Sequence, residues 1–256
     1  MTSLSETVTA LPEIVSREQW LEARVALLAE EKALTRQRDA LNAKRRGLPM
    51  VRIEKNYVFD GPQGTATLAD LFDGHRQLVV QHIMFGPDWD AGCPRCTAST
   101  GEFTATLLGR LHEANTAFAM ICRAPIAKVN AYGAGRGWVL PWYSSYNSDF
   151  NYDFRVTLDP YVPQLEYNYR PEPGLLGDDG EEGHGGGQGV ELPGASCFLR
   201  EGDEIFHTYS VYGRGTEYVG NAYTFLDLTA LGRQEDWEEP KGRVAPVRGG
   251  DPTFSS

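Results

Sequence analysis

At 256 residues the chain can bury one substantial core, with material left over for extensions or insertions. A net charge of -11 argues against a general nucleic-acid binder, and four cysteines (Cys93, Cys96, Cys122 and Cys197) are too few for a disulfide scaffold. No run approaches the ~18 apolar residues of a membrane span, and Met1 to Ile14 lacks the basic flank and apolar core of a signal peptide; the expectation is a soluble, cytoplasmic protein with neither membrane nor nucleic acid as partner.

The strongest helical segment covers residues 16–46, with Ser16 as N-cap and Gly47 with Pro49 as the stop. Trp20, Val25, Leu27, Leu28, Leu34 and Leu41 give it an apolar stripe too irregular to declare a coiled coil. Two readings stand for it: a partner-binding or homo-oligomerising arm, and a helix folded back over its own domain. Next come a strand at Tyr57-Val58-Phe59, a turn at Gly61-Pro62-Gln63-Gly64 and a short helix at Leu68–Phe72. The apolar run 78–85 predicts a buried strand in a sheet covered on both faces.

Phe103, Leu107 and Leu111 recur every four residues, which predicts one amphipathic helix over 94–114. A buried strand follows at Ala117–Cys122, a short helix at 126–134 and an extended stretch at Trp138–Tyr143. Strand and helix alternate, as in an α/β sandwich with parallel pairing. Ala195–Arg200 and Glu204–Tyr212 flank a Gly202-Asp203 turn and read as a hairpin, and 223–228 adds a last apolar stretch. The expected organisation is a helical extension over 1–47 and a main domain over 48–236. That domain carries a flexible Gly-rich insertion at 171–190, and a poorly ordered tail over 237–256 follows it.

The chemistry centres on Cys93-Pro94-Arg95-Cys96, at the end of a strand and the start of a helix. Unpaired amides and the helix dipole there favour a thiolate, and the second sulfur, about one turn later, is within reach of the first. Pro94 suits an early helix position, and Arg95 adds positive charge. Trp89 is placed to screen the site or receive an apolar part of a substrate, whereas Asp88 and Asp90 oppose ionisation. The leading reading is redox: Cys93 attacks a disulfide or peroxide, and Cys96 resolves the product. Zinc needs two further ligands, and Cys122, His112 and His207 are scattered, so no metal and no cofactor is assigned. An inert buried pair is the remaining alternative. Cys122 and Cys197 read as buried structural thiols, and His207, alternating with Ile205, Tyr209 and Val211, as a satisfied core histidine.

The segments Met84-Phe85-Gly86-Pro87-Asp88-Trp89, Gly92-Cys93-Pro94-Arg95-Cys96, Phe206-His207-Thr208-Tyr209-Ser210 with Arg214-Gly215, and Leu226-Asp227-Leu228-Thr229 with Gly232-Arg233 together resemble one bacterial family. It is the thioredoxin-like domain of unknown function 899, labelled predicted dithiol–disulfide oxidoreductases, and the resemblance covers roughly residues 15–236. It implies a thioredoxin-like central mixed sheet flanked by helices, with Cys93 and Cys96 on the active-site positions, and it singles out His207, Tyr209 and Arg214 without giving them roles. Thioredoxin places a cis-proline before the strand that starts its last hairpin; here Pro193-Gly194 occupies that region, with Gly194 as near the key position as Pro193. The function expected is thiol–disulfide exchange with a protein or small-molecule disulfide, from an electron donor the sequence does not identify. A thiol-dependent peroxide reductase and a non-enzymatic binding module are the competing readings.

Overall fold

The N-terminal helix starts where its cap chemistry puts it. In this computed structural model, which describes residues 12–158, 166–171, 190–219 and 228, α1 spans Arg17–Arg46. Ser16 accepts from the Gln19 amide while the Gln19 side chain accepts from the Ser16 amide, so two otherwise unpaired donors are satisfied reciprocally. The described residues divide between two units, with the helix, up to residue 48, in one and residues 49–221 in the other. Most of the expected insertion at 171–190, the 223–228 stretch apart from Leu228, and the 237–256 tail lie outside the described residues.

The second unit is built on one mixed sheet. Its strands are β1 (Val51–Arg52), β2 (Val58–Gly61), β3 (Gly64–Thr67), β4 (Gln77–His82), β5 (Thr116–Cys122), β6 (Trp142–Ser144), then β11 (Gly194–Glu201) and β12 (Glu204–Tyr212). Among the described residues between β6 and β11 lie helix α5 (Phe150–Asp153) and four two-residue strands: β7 (Thr157–Leu158), β8 (Glu166–Tyr167), β9 (Arg170–Pro171) and β10 (Val190–Glu191). The order in the large sheet is β1-β12-β11-β4-β5-β6-β2-β3. β4, β5 and β6 run parallel, while β11 and β12 pair antiparallel beyond β4. A β–α–β crossover joined to a terminal antiparallel hairpin is a thioredoxin-like sheet, flanked by helices on both faces.

Alternation along β4 and β5 sorts the core into two layers. Leu78, Val80, Ala119 and Ile121 face a cluster closed by Phe150 of α5 and Phe154, its C-cap. Val79, Phe118 and Met120 face the other, against α2 (Pro94–Gly101), α3 (Ala105–Glu113) and α4 (Ile126–Gly133). Phe150 is fully buried, with ring centroids 4.5–5.0 Å from Tyr57, Phe59 and Phe154. Each such aromatic pair contributes about 1 kcal/mol beyond the area it buries.

Three expectations need correction. The helix predicted over 94–114 is two helices, because α2 stops at Gly101 and Thr104 restarts the chain as the N-cap of α3, accepting from the Leu107 amide. The stretch after Gly61-Pro62-Gln63 forms β3 before the short 3-10 turn Asp70–Phe72. The face shared by Ile205, His207, Tyr209 and Val211 is interrupted by a bulge: Cys197 pairs with Tyr209 and Phe198 with His207, so Thr208 is the extra residue. Past that point the parity shifts, and Ser210 joins His207 on one face. Cys197, beside the bulge, is only partly buried.

Candidate active site

The chain leaves β4 at His82 and stays beside β5, with the Ile83 amide donating to Ile121 at 2.8 Å and the Ala124 amide to Phe85 at 2.8 Å. It then turns at Gly86. The Trp89 indole lies so close that a Cβ on Gly86 would stand 2.8 Å from its Nε1, so a side chain there displaces the ring. Lys128 of α4 fastens this loop from outside, donating to the carbonyls of Pro87 at 2.6 Å and Trp89 at 2.9 Å. The chain returns to its starting point at Cys93, whose amide donates to the Met84 carbonyl at 2.9 Å.

Cys93 is the N-cap of α2 and Pro94, with no amide proton to leave unpaired, is its first residue. The Cys93 carbonyl accepts from the Thr97 amide and hydroxyl, both at 2.9 Å, and that hydroxyl lies 2.8 Å from the Tyr132 hydroxyl. Both cysteines are free thiols, with Cys93 partly buried and Cys96 packed against the α2-side core.

This geometry makes the two sulfurs unequal. Cys93 is lowered from 9.0 to about 6, first by the Cys96 thiol, which donates to it, then by the amides of Cys96 and Arg95 and the charge of Arg95, against an opposing cost of burial. Cys96 is pushed well above the ordinary thiol range by that donation, by burial and by the charge on Cys93; the Met84 amide pulls the other way. The Met84 backbone therefore holds both residues, its carbonyl on the Cys93 amide and its amide toward the Cys96 sulfur. One thiol is set to ionise at neutral pH and its neighbour to stay protonated. Neither Asp88 nor Asp90 ranks among the causes acting on Cys93.

The other predicted residues spread out from this centre. Trp89 and Arg95 belong to its loop and helix. His207 lies two strands away from β4 on the opposite core face, where it ends a chain of hydrogen bonds: His82 Nε2 to Ser196 Oγ at 2.9 Å, Ser196 to Ser210 at 2.8 Å, and Ser210 to His207 Nε2 at 2.7 Å. His82 is fully buried, and desolvation, helped by His207, lowers it from 6.5 to about 3. Burial lowers His207 in the same direction. Tyr209 sits opposite Cys197. Arg214 follows β12 and pairs with Glu217 at 3.1 Å; it stands at the same sheet end as the cysteines, because His82, Gly194 and Tyr212 are aligned across the three strands. Pro193 immediately precedes β11, and its carbonyl accepts from the Tyr167 hydroxyl at 3.0 Å.

Residue reasoning alone missed Thr97, Tyr132, Lys128 and Met84. Only the first carried a local signal, a hydroxyl four residues after the N-cap. It also missed a buried ion pair at the end of β5, Arg123 with Glu191 at 3.3 Å, in which Glu191 also accepts from Thr157 at 2.8 Å. Burial raises Glu191 from 4.5 to about 7 against the pull of Thr157 and Arg123. Cys122, fully buried, is pushed up. Among the described residues no group of three or more His, Cys, Asp or Glu is placed to hold a metal ion. Nor, among them, is any helix long and apolar enough to cross a membrane.

No curated protein matches the sequence. Solved structures with a similar outline include a cysteine-to-serine variant of peroxiredoxin Q from Xanthomonas campestris, 16% identical with a TM-score of 0.40, the match covering 60% of this chain and 79% of that one. Peroxidoxin BcpB from Mycobacterium tuberculosis is 12% identical with a TM-score of 0.43, covering 67% and 93%. A cysteine-to-serine variant of peroxiredoxin Q from Xylella fastidiosa is 12% identical at 0.42, covering 66% and 91%. The family match is far more extensive, running from residue 9 to residue 248, and the chain belongs to the family of bacterial proteins of unknown function DUF899.

Proposed function

We propose that the protein is a thiol–disulfide oxidoreductase with Cys93 as nucleophile and Cys96 as resolving thiol. The observation that carries this reading is the position of Cys93 as N-cap of α2, with the Arg95 and Cys96 amides and the Cys96 thiol directed at its sulfur. The Cys93 thiolate attacks one sulfur of a substrate disulfide, forming a mixed disulfide and releasing the first substrate thiolate. Cys96 then loses its proton and attacks the Cys93 sulfur. The mixed disulfide breaks, the second substrate thiolate leaves, and a Cys93–Cys96 disulfide forms. Two electrons have passed to the substrate, and an external dithiol reductant restores the pair.

The test is dithiothreitol-driven reduction of insulin disulfides. The wild type turns over, Cys93→Ser falls below about one thousandth of that rate, and reduced Cys96→Ser, mixed with insulin after dithiothreitol is removed, accumulates the mixed disulfide, detected by its mass. Full activity in Cys93→Ser refutes the assignment. The same asymmetric pair supports a second reading, peroxide reduction, in which Cys93 becomes a sulfenate that Cys96 closes with loss of water. Hydrogen peroxide consumption that exceeds insulin reduction in the same preparation selects it.

A further inference from the structure

Helix α1 carries an apolar row that stays about half exposed. Trp20, Leu27, Leu34 and Leu41 recur every seven residues and are 46, 51, 65 and 54% exposed. Leu21, Val25 and Leu28 widen the row at its N-terminal end, and no residue of the 30-residue helix is buried. Solvating so many large side chains is unfavourable, and a seven-residue spacing keeps such a row facing a second helix through a left-handed supercoil.

Charge indicates what that second helix is. From Arg17 to Glu31 the helix carries four carboxylates and two guanidinium groups, whereas from Lys32 to Arg46 it carries six cations and one carboxylate. The two halves are opposite in sign. A parallel partner of the same sequence would set one cationic half against the other, while an antiparallel one sets each acidic half against a basic half and opposes the two helix dipoles.

We propose that α1 pairs antiparallel with α1 of a second copy of this chain, Trp20 opposite Leu41 and Leu27 opposite Leu34. The centre of that pairing sets Glu30 and Glu31 of one helix against Glu31 and Glu30 of the other. Arg24 offsets part of this within each helix, bridging Glu31 at 2.8 Å.

The test is sedimentation equilibrium of the full-length protein over a range of concentrations and salt, beside the double variant Leu27→Glu/Leu34→Glu, with circular dichroism to confirm that the variant folds. The expected result is a wild-type dimer whose dissociation constant rises about tenfold when the Debye length shrinks from roughly 10 Å to about 3 Å, and a variant that stays monomeric. A monomeric wild type overturns the proposal and leaves the row to its own domain or to a different protein. A dimer unchanged in the variant overturns it too, because another surface then holds the copies together. The salt response keeps the proposal testable even if the variant fails to fold: a dimer that tightens with salt is parallel or purely apolar, and contradicts the charge argument.

Discussion

Two polar sites lie on opposite faces of β4 and its extension, and although burial disfavours charge at both, they reach opposite charge states. At the cysteine end, Cys93 ionises easily because a helix start and a neighbouring thiol supply donors in excess of what burial costs. On the other face, His82 is packed among Phe150 and Phe154, its Nε2 beside the Ser196 hydroxyl, and its Nδ1 has no hydrogen-bond partner among the described residues. It therefore stays neutral. Desolvation is common to both, and the supply of preorganised donors decides the outcome. The proposed nucleophilic site is thus separated, by the thickness of the sheet, from the hydrogen-bonded chain that links β4 to the hairpin strands.

Separating the two by mutation gives the largest expected contrast. Cys93→Ala abolishes turnover with little change in the urea midpoint. Ser196→Ala, by contrast, breaks the chain between His82 and Ser210, costs about 2 kcal/mol of stability and leaves turnover near the wild-type level. Equal losses of activity in both variants would mean the two faces work as one site.

Acid is the next lever. A histidine lowered from 6.5 to about 3 contributes stability that is fully present above its unfolded value and is lost as pH falls toward the folded one. The loss is roughly 1.4 kcal/mol per pH unit below the unfolded value. Glu191 has the opposite sign, since a carboxyl raised to about 7 contributes stability below its unfolded value that is lost as pH rises through 7. The readout is therefore the difference between wild type and His82→Gln in urea midpoints measured from pH 7 to pH 4; the variant is expected to lose less on acidification. Parallel curves would show that His82 does not hold its proton off.

Smaller effects probe the thiol end alone. Cys96→Ala removes the largest cause of the lowered Cys93 value, so alkylation of Cys93 should require a pH higher by more than about one unit. Arg95→Gln removes only the last-named cause and should move it by a few tenths of a unit. An Arg95 effect larger than that of Cys96 would reverse the ranking of donors.

The sequence made the thiol end largely legible, because its signals are local: a buried strand, a cysteine at a helix start, a proline just inside it. Ser16 and Gly47 bounded α1 for the same reason. The other face was not legible. His82, Ser196 and Ser210 meet across three strands, and the bulge that puts Ser210 beside His207 interrupts an alternation that looked continuous from Ile205 to Val211. The break between α2 and α3 was hidden because Phe103, Leu107 and Leu111 keep a four-residue spacing across it, while the Thr104 cap that restarts the helix looks ordinary in sequence. The clamp on both cysteines was invisible for a further reason: Met84 acts through its backbone amide and carbonyl, which every residue type but proline would supply.

The most direct measurement is the pH dependence of iodoacetamide alkylation at Cys93, read peptide by peptide by mass spectrometry on the reduced protein. The expected midpoint is near 6, with Cys96 unreactive across that range. A Cys93 midpoint near the ordinary thiol value of about 8.5, or equal reactivity of the two cysteines, would contradict it.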